Sequence, residues 1–213
     1  MDWAVELFPW FEYYLKGIGE EPESYVQVQR NDGSWHIEET WPAEDTQHLQ
    51  FSIANWDGGM IGTVNSQQSL TITSQPMTDD IHISGLPTLH IDARTNLCNG
   101  GQLFVTMYDG TNGLRLGHAT MDVRYRDGGY EALPTSPMTN YRMLMEFNPM
   151  DVIVPKGHTI RLVVSETGED YLPSPCASSG MTIFAGYQIL TLPTVDRPTD
   201  HQNWFNVPVW WDE

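Results

Sequence analysis

The chain has 213 residues, 40% of them hydrophobic and 18% charged, with 8 Trp, 9 Tyr and 7 Phe. That much aromatic content with so few charges excludes a disordered chain, and a domain of this length buries roughly 70% of its unfolded surface, enough for a real core. The net charge of −18 comes from 10 basic residues set against 28 acidic ones; such a surface repels phosphate backbones and argues against nucleic acid, while no apolar run nears the roughly 20 residues of a membrane span.

The first ten residues, MDWAVELFPW, put acid and aromatic side chains where a secretory leader needs a basic start. The cytoplasm is then the expected compartment, unless Met1 lies inside a longer protein. Pro9 to Lys16 reads PWFEYYLK and Gly17 follows, which is the expected order of proline at a helix start and glycine past its end. A helix of about two turns is unstable alone in water, yet Trp10, Phe11, Tyr14 and Leu15 make it apolar around most of its girth. It must lie against something. The stretch Gly19-Glu20-Glu21-Pro22-Glu23-Ser24 reads as a linker.

Beyond the linker the period becomes two. Leu70 and Ile72 alternate with threonines, Ile81 and Ile83 flank His82, and Leu89, Ile91 and Ala93 alternate with His90, Asp92 and Arg94. Ala119 to Arg126, Tyr141 to Phe147 and Ile160 to Val164 alternate in the same way, as half-buried strands do. Asn31-Asp32-Gly33, Asn99-Gly100-Gly101, Asp109-Gly110, Asn112-Gly113 and Asp127-Gly128-Gly129 supply the turns between them. No second helix shows a 3.6-residue period. The expected fold is all-β, a jelly-roll β-sandwich preceded by one short helix.

The chemistry is sparse. No GxSxG nucleophile elbow, HExxH, P-loop or GxGxxG occurs. Cys98 and Cys176 have no metal-ligand spacing; two unpaired thiols are slightly favoured over a disulfide. His82, His90 and Asp92 could be imagined around zinc, but solvent-facing polar strand positions explain them more simply. Asp79 and Asp80 with Asp92 could suggest calcium, although a solvated acidic turn after Pro76 is the plainer reading. Glu169 and Asp170 read as solvated loop acids, and nothing brings Ser165, His158 and Asp170 together as a triad. Neither metal nor cofactor is expected. The tryptophans allow a sugar-stacking surface, as in a free-standing carbohydrate-binding module, but large aromatics also fill sandwich cores and interfaces.

Six stretches in order carry a resemblance. Trp10-Phe11-Glu12-Tyr13-Tyr14-Leu15-Lys16-Gly17 is similar to a WFDxWLKG helix, and Asp32-Gly33-Ser34-Trp35-His36 with Glu39-Thr40-Trp41-Pro42 resembles a paired W-x-x-E…W-P strand entry. Thr73 to Gly85 resembles a TSEPLTED…I-x-G segment. Val123-Arg124-Tyr125-Arg126-Asp127 and Lys156-Gly157-His158-Thr159-Ile160-Arg161-Leu162 resemble RYRD and KGHxIRL strands, and His201-Gln202-Asn203 to Val209 resembles a closing strand. Together they resemble the C-terminal non-catalytic domain of the X-prolyl dipeptidyl-peptidase and cocaine-esterase (CocE/NonD) family of serine hydrolases.

That resemblance implies a galactose-binding-domain-like jelly roll attached to an α/β-hydrolase domain whose Ser-Asp-His triad precedes the WFDxWLKG helix. No catalytic residue is therefore carried over to this chain, which is expected to be inactive alone. Residues 1–20 would be the terminal helix of the hydrolase domain with a linker, and residues 21–213 the sandwich. Trp10, Phe11, Tyr14 and Leu15 are the expected inter-domain contact. The expected partners are the hydrolase domain, on the same or a separate chain, and a second copy through self-association. Two departures stand out: the acidic Ser165-Glu166-Thr167-Gly168-Glu169-Asp170-Tyr171 replaces an SSxFPRF-like stretch, and a DPxxPVP loop is missing between Phe51 and Ser69.

Overall fold

A computed structural model describes residues 3–53, 56, 61–168, 171–184 and 187–197. Helix α1 (Trp3–Phe11) runs into a π-helical turn over Glu12–Lys16. The helix thus begins well before the expected Pro9, which sits inside it and, lacking an N–H, donates no helical hydrogen bond there. Gly17 ends the turn at φ 67°, ψ 31°, a left-handed conformation that glycine adopts without a Cβ penalty. Its N–H donates to the Tyr13 carbonyl at 3.0 Å.

The strands that follow are β1 (Val26–Gln29), β2 (Trp35–Glu38), β3 (Gln47–Ser52), β4 (Gly62–Val64), β5 (Leu70–Thr73), β6 (Ile81–Gly85) and β7 (Thr88–Thr95). After them come β8 (Gln102–Asp109), β9 (Arg115–Asp122), β10 (Asn140–Glu146), β11 (Met150–Val154), β12 (Ile160–Ser165), β13 (Met181–Ile183) and β14 (Ile189–Thr194). Every pairing among them is antiparallel.

Beside the two-stranded β1–β2 ribbon stand two larger sheets, of which one has the order β5-β12-β8-β9. In the other, β6 and β7 form the central row, with β11 and β10 on one side and β14 and β13 on the other; β3 and β4 lie outermost beyond these. Each sheet is therefore four rows wide, and the two face each other as the jelly-roll β-sandwich that the alternation predicts. Leu89, Ile91 and Ala93 point in from β7, Met143 and Met145 from β10, and Ile160, Leu162 and Val164 from β12; all are fully buried. Ile72, Leu103, Met107 and Phe147 fill the space between them.

Two expectations are corrected. The β9 alternation stops at Asp122, whose carboxylate accepts from the Arg124 N–H and caps a 3₁₀ turn over Val123–Tyr125; the chain turns where the RYRD resemblance implied a strand. Cys98 and Cys176 are not free thiols but a disulfide, with Cα atoms 5.7 Å apart. It ties the loop after β7 to the loop before β13, positions 78 residues apart whose proximity the sequence spacing does not show.

Candidate functional site: the amino-terminal helix and the clamped hairpin

The Trp10 ring stacks on Tyr14 with centroids 4.2 Å apart, and Tyr14 meets Tyr13 edge-on at 4.9 Å. The phenol of Tyr14 donates to Glu21 at 3.1 Å, drawing the linker back against the helix. These aromatic pairs are formed within the segment itself. Trp10 is 50% exposed, Phe11 44%, Tyr14 48% and Leu15 76%, so neither stripe is covered. Val5, Phe8 and Ile18 extend the same apolar surface. Docking of one stripe on the sandwich would have been economical, but the short segment makes no extensive contact with any described strand.

The next element behaves in the opposite way. Hairpin β1–β2 turns at Asn31-Asp32-Gly33, where Gly33 has φ 81° and the Asp32 carboxylate accepts from the Ser34 N–H at 2.8 Å. Its period of two sorts His36 and Glu38 to one face and Trp35 and Ile37 to the other. The first face is clamped onto β6 and β11. Asp151, whose side chain is wholly buried, accepts from His82 Nε2 at 2.8 Å and from Ser84 Oγ at 3.1 Å. Arg30 Nε lies 3.3 Å and His36 Nε2 3.2 Å from the same carboxylate. His36 also reaches Glu38 at 3.0 Å, and Glu38 pairs with Arg197, which in turn pairs with Asp45 at 2.6 Å.

The side-chain amide of Asn31 completes the clamp. It donates to the Ile153 carbonyl at 3.4 Å and accepts from the Ile153 N–H at 3.3 Å, as a neighbouring strand would at the free edge of β11. Burial alone would push the Asp151 carboxyl up, but the His82 hydrogen bond and the charges of His82, His36 and Arg30 outweigh it and hold the group below the usual carboxylate range.

His82 is thus buried beneath the hairpin rather than facing solvent as expected, and the other candidate residues are scattered. His90 packs edge-on against Tyr187, and Asp92 receives two hydrogen bonds from Arg142 at 2.8 and 2.9 Å. Asp80 accepts from the Lys156 N–H, while His158 bonds Asp109 at 2.7 Å and Ser165 donates to the Thr167 carbonyl. Asp170 and Glu169 lie outside the described residues, as do Trp204, Trp210 and Trp211. No group of three or more His, Cys, Asp or Glu among the described residues is arranged to hold a metal ion.

The sheet aromatics are also engaged. Guanidinium groups of Arg94, Arg126, Arg142 and Arg161 lie 4.7–4.9 Å over the rings of Phe184, Tyr141, Tyr187 and Tyr108. A stacked arginine takes the ring face that a sugar would need. What the sequence missed was the clamp: Arg30, His82 and Asp151 lie far apart in the chain, and only strand pairing brings them together.

Residues 16–183 match the family model described as the X-Pro dipeptidyl-peptidase C-terminal non-catalytic domain. Two curated proteins named Putative Xaa-Pro dipeptidyl-peptidase are similar to the chain. The one from Bacillus anthracis is 25% identical over 227 residues, covering 91% of this chain and 37% of the relative. The one from Streptomyces avermitilis is 23% identical over 144 residues, covering 56% of this chain and 21% of the relative. Among solved structures, a CocE/NonD family hydrolase from Staphylococcus aureus superimposes with a TM-score of 0.65 at 14% identity over 90% of this chain and 46% of that one. An α-amino acid ester hydrolase does so with a TM-score of 0.56 at 13% identity, over 88% and 44%. These likenesses show the shared fold, and the chain spans less than half of each relative. With the family model covering residues 16–183, the chain belongs to the family of X-Pro dipeptidyl-peptidase C-terminal non-catalytic domains.

Proposed function

We propose that the chain is the accessory β-sandwich of a CocE-type serine hydrolase, a dipeptidyl-peptidase, aminopeptidase or esterase. It would pack on the α/β-hydrolase domain, help to wall the substrate pocket and support oligomer contacts. In this reading residues 1–20 belong to the hydrolase domain as its last helix and linker, and residues 21–213 are the sandwich. The observation that carries it is the helix: Trp10, Phe11, Tyr14 and Leu15 are all 44–76% exposed, and the segment makes no extensive contact with any described strand. Exposed apolar surface of that extent marks an interaction site, and the residues that bear it are those resembling the family's WFDxWLKG helix.

The test is chemical. A fluorophosphonate probe reacts with an activated serine. It is expected to leave the 213-residue chain unlabelled, and to label the polypeptide carrying the hydrolase domain at a serine outside these residues. Stoichiometric labelling of any serine of this chain would overturn the reading.

A further inference from the structure

The helix is one apolar surface; the hairpin presents a second. On its outward face Trp35 is 53% and Ile37 65% exposed, with Tyr25 at 40% just before β1. An exposed tryptophan and isoleucine side by side on a two-stranded ribbon leave apolar surface in water that a covering partner would bury. Two-stranded ribbons are also pliable when isolated. This one is not isolated. Its opposite face is tied to the sandwich by Arg30, His36 and Asn31, which reach Asp151 and Ile153 on β11. The ribbon is therefore held in one orientation with its apolar side turned outward.

Two facts say what covers it. The chain spans 37% of the Bacillus anthracis relative and 46% of the Staphylococcus aureus structure, so more than half of each such protein lies beyond the region matched here. The tether is also short: from Lys16 at the end of the helical segment to Val26 at the start of β1 the chain advances ten residues, at most about 35 Å when fully extended. The Tyr14–Glu21 hydrogen bond shortens that path. A body large enough to bury the helix lies within reach of the hairpin as well.

We infer that the outward face of the β1–β2 hairpin, centred on Trp35 and Ile37, is a second docking surface for the same hydrolase domain that covers the helix, presented rigidly by the buried Asp151 clamp. This rests on the reading under Proposed function and adds a surface to it that the sequence resemblance left without a role.

Hydroxyl-radical footprinting, read by mass spectrometry, tests both claims separately. Trp10 and Trp35 are compared between the 213-residue chain and the polypeptide carrying the hydrolase domain, each at two concentrations. Both side chains are expected to be oxidised at least tenfold more slowly in the larger polypeptide at the lower concentration, and Trp35 at either. In that polypeptide, Trp35→Ser with Ile37→Ser, both exposed positions, is expected to raise the oxidation of the neighbouring Tyr25 while Trp10 stays protected. Protection of Trp10 with Trp35 still reactive would overturn the hairpin surface and leave the helix contact standing. Reactivity of both would overturn the accessory-domain reading as well. Protection of Trp35 that appears in the 213-residue chain as its concentration rises would give the face to a second copy, and would equally overturn the inference.

Discussion

Asp151 collects His82, Ser84, His36 and Arg30 around one wholly buried carboxylate. Removing one partner of such a cluster leaves the rest as uncompensated buried charge and polar groups, which costs about 3–5 kcal/mol. Asp151→Ala is expected to lower the urea unfolding free energy by that amount, whereas Arg142→Ala, which breaks an exposed pair with Asp92, should cost under about 1 kcal/mol. Asp151 and Glu166, both buried, set opposite limits on pH. The folded Asp151 carboxyl is held low, so its stabilisation is present above its unfolded pKa and is lost as pH falls through the folded value. Glu166 is the reverse: burial pushes its carboxyl up to about 7, against a smaller opposing hydrogen bond from the Gln102 backbone. Its contribution is whole below the unfolded value near 4.5 and disappears as pH rises through about 7. Thermal unfolding should therefore show a lower midpoint at pH 8 than at pH 5.5. Glu166→Gln should remove most of that decline and change little at pH 5.5.

At the scale of elements, the disulfide and the hairpin clamp do similar work by different means. The Cys98–Cys176 bond closes a loop of 78 residues that contains β8 to β12. On the chain-entropy account, closing a loop of that size is worth roughly 4 kcal/mol. Cys176→Ser in the oxidised protein, or dithiothreitol applied to the wild type, is expected to lower the urea unfolding free energy by about that much. Equal unfolding curves with and without reductant would show that the bond contributes nothing. The clamp makes no covalent link, yet it covers the free edge of β11 with the side chain of Asn31 and hides the polar outer face of β6. β11 was not read as a strand from the sequence, although its Met150, Val152 and Val154 alternate into the core. Nor was its buried Asp151 legible, because a lone acid among apolar residues reads as a solvent position until the hairpin above it is known.

For the whole molecule, the amino-terminal segment is the least settled part in water. With Phe8, Trp10, Phe11, Tyr14 and Leu15 44–76% exposed, association of two copies would recover about half of the roughly 1.5–3 kcal/mol that full burial gives each large side chain. Against it stands a net charge of −18 on every chain, a repulsion that weakens as salt screens it. We expect the 213-residue chain to self-associate in sedimentation experiments, more strongly at 0.5 M salt than at low salt, and a chain lacking residues 1–16 to run as a folded monomer. A full-length chain that stays monomeric at high micromolar concentration and high salt would contradict this.

The sequence by itself determined the class of fold. Side chains on a strand alternate sides, so Leu89-Ile91-Ala93 or Ile160-Leu162-Val164 state their inward face without reference to any neighbour, and turn residues such as Asn31-Asp32-Gly33 mark where strands reverse. Ordered motifs from Trp10 to Val209 carried the family likeness for the same reason, being local strings. The apolar girth of the helix was also plain, because Trp10 and Tyr14 lie one turn apart. What joins distant positions could come only from the tertiary structure: the pairing of Cys98 with Cys176, the gathering of Arg30, His36 and His82 on Asp151, and the guanidinium groups laid over the sheet aromatics. Each depends on strand register, which is fixed by the packing of two sheets against one another and by no residue taken alone. The tertiary structure also left the helix without extensive contact on the described strands, and so turned an aromatic pattern in the sequence into an exposed surface.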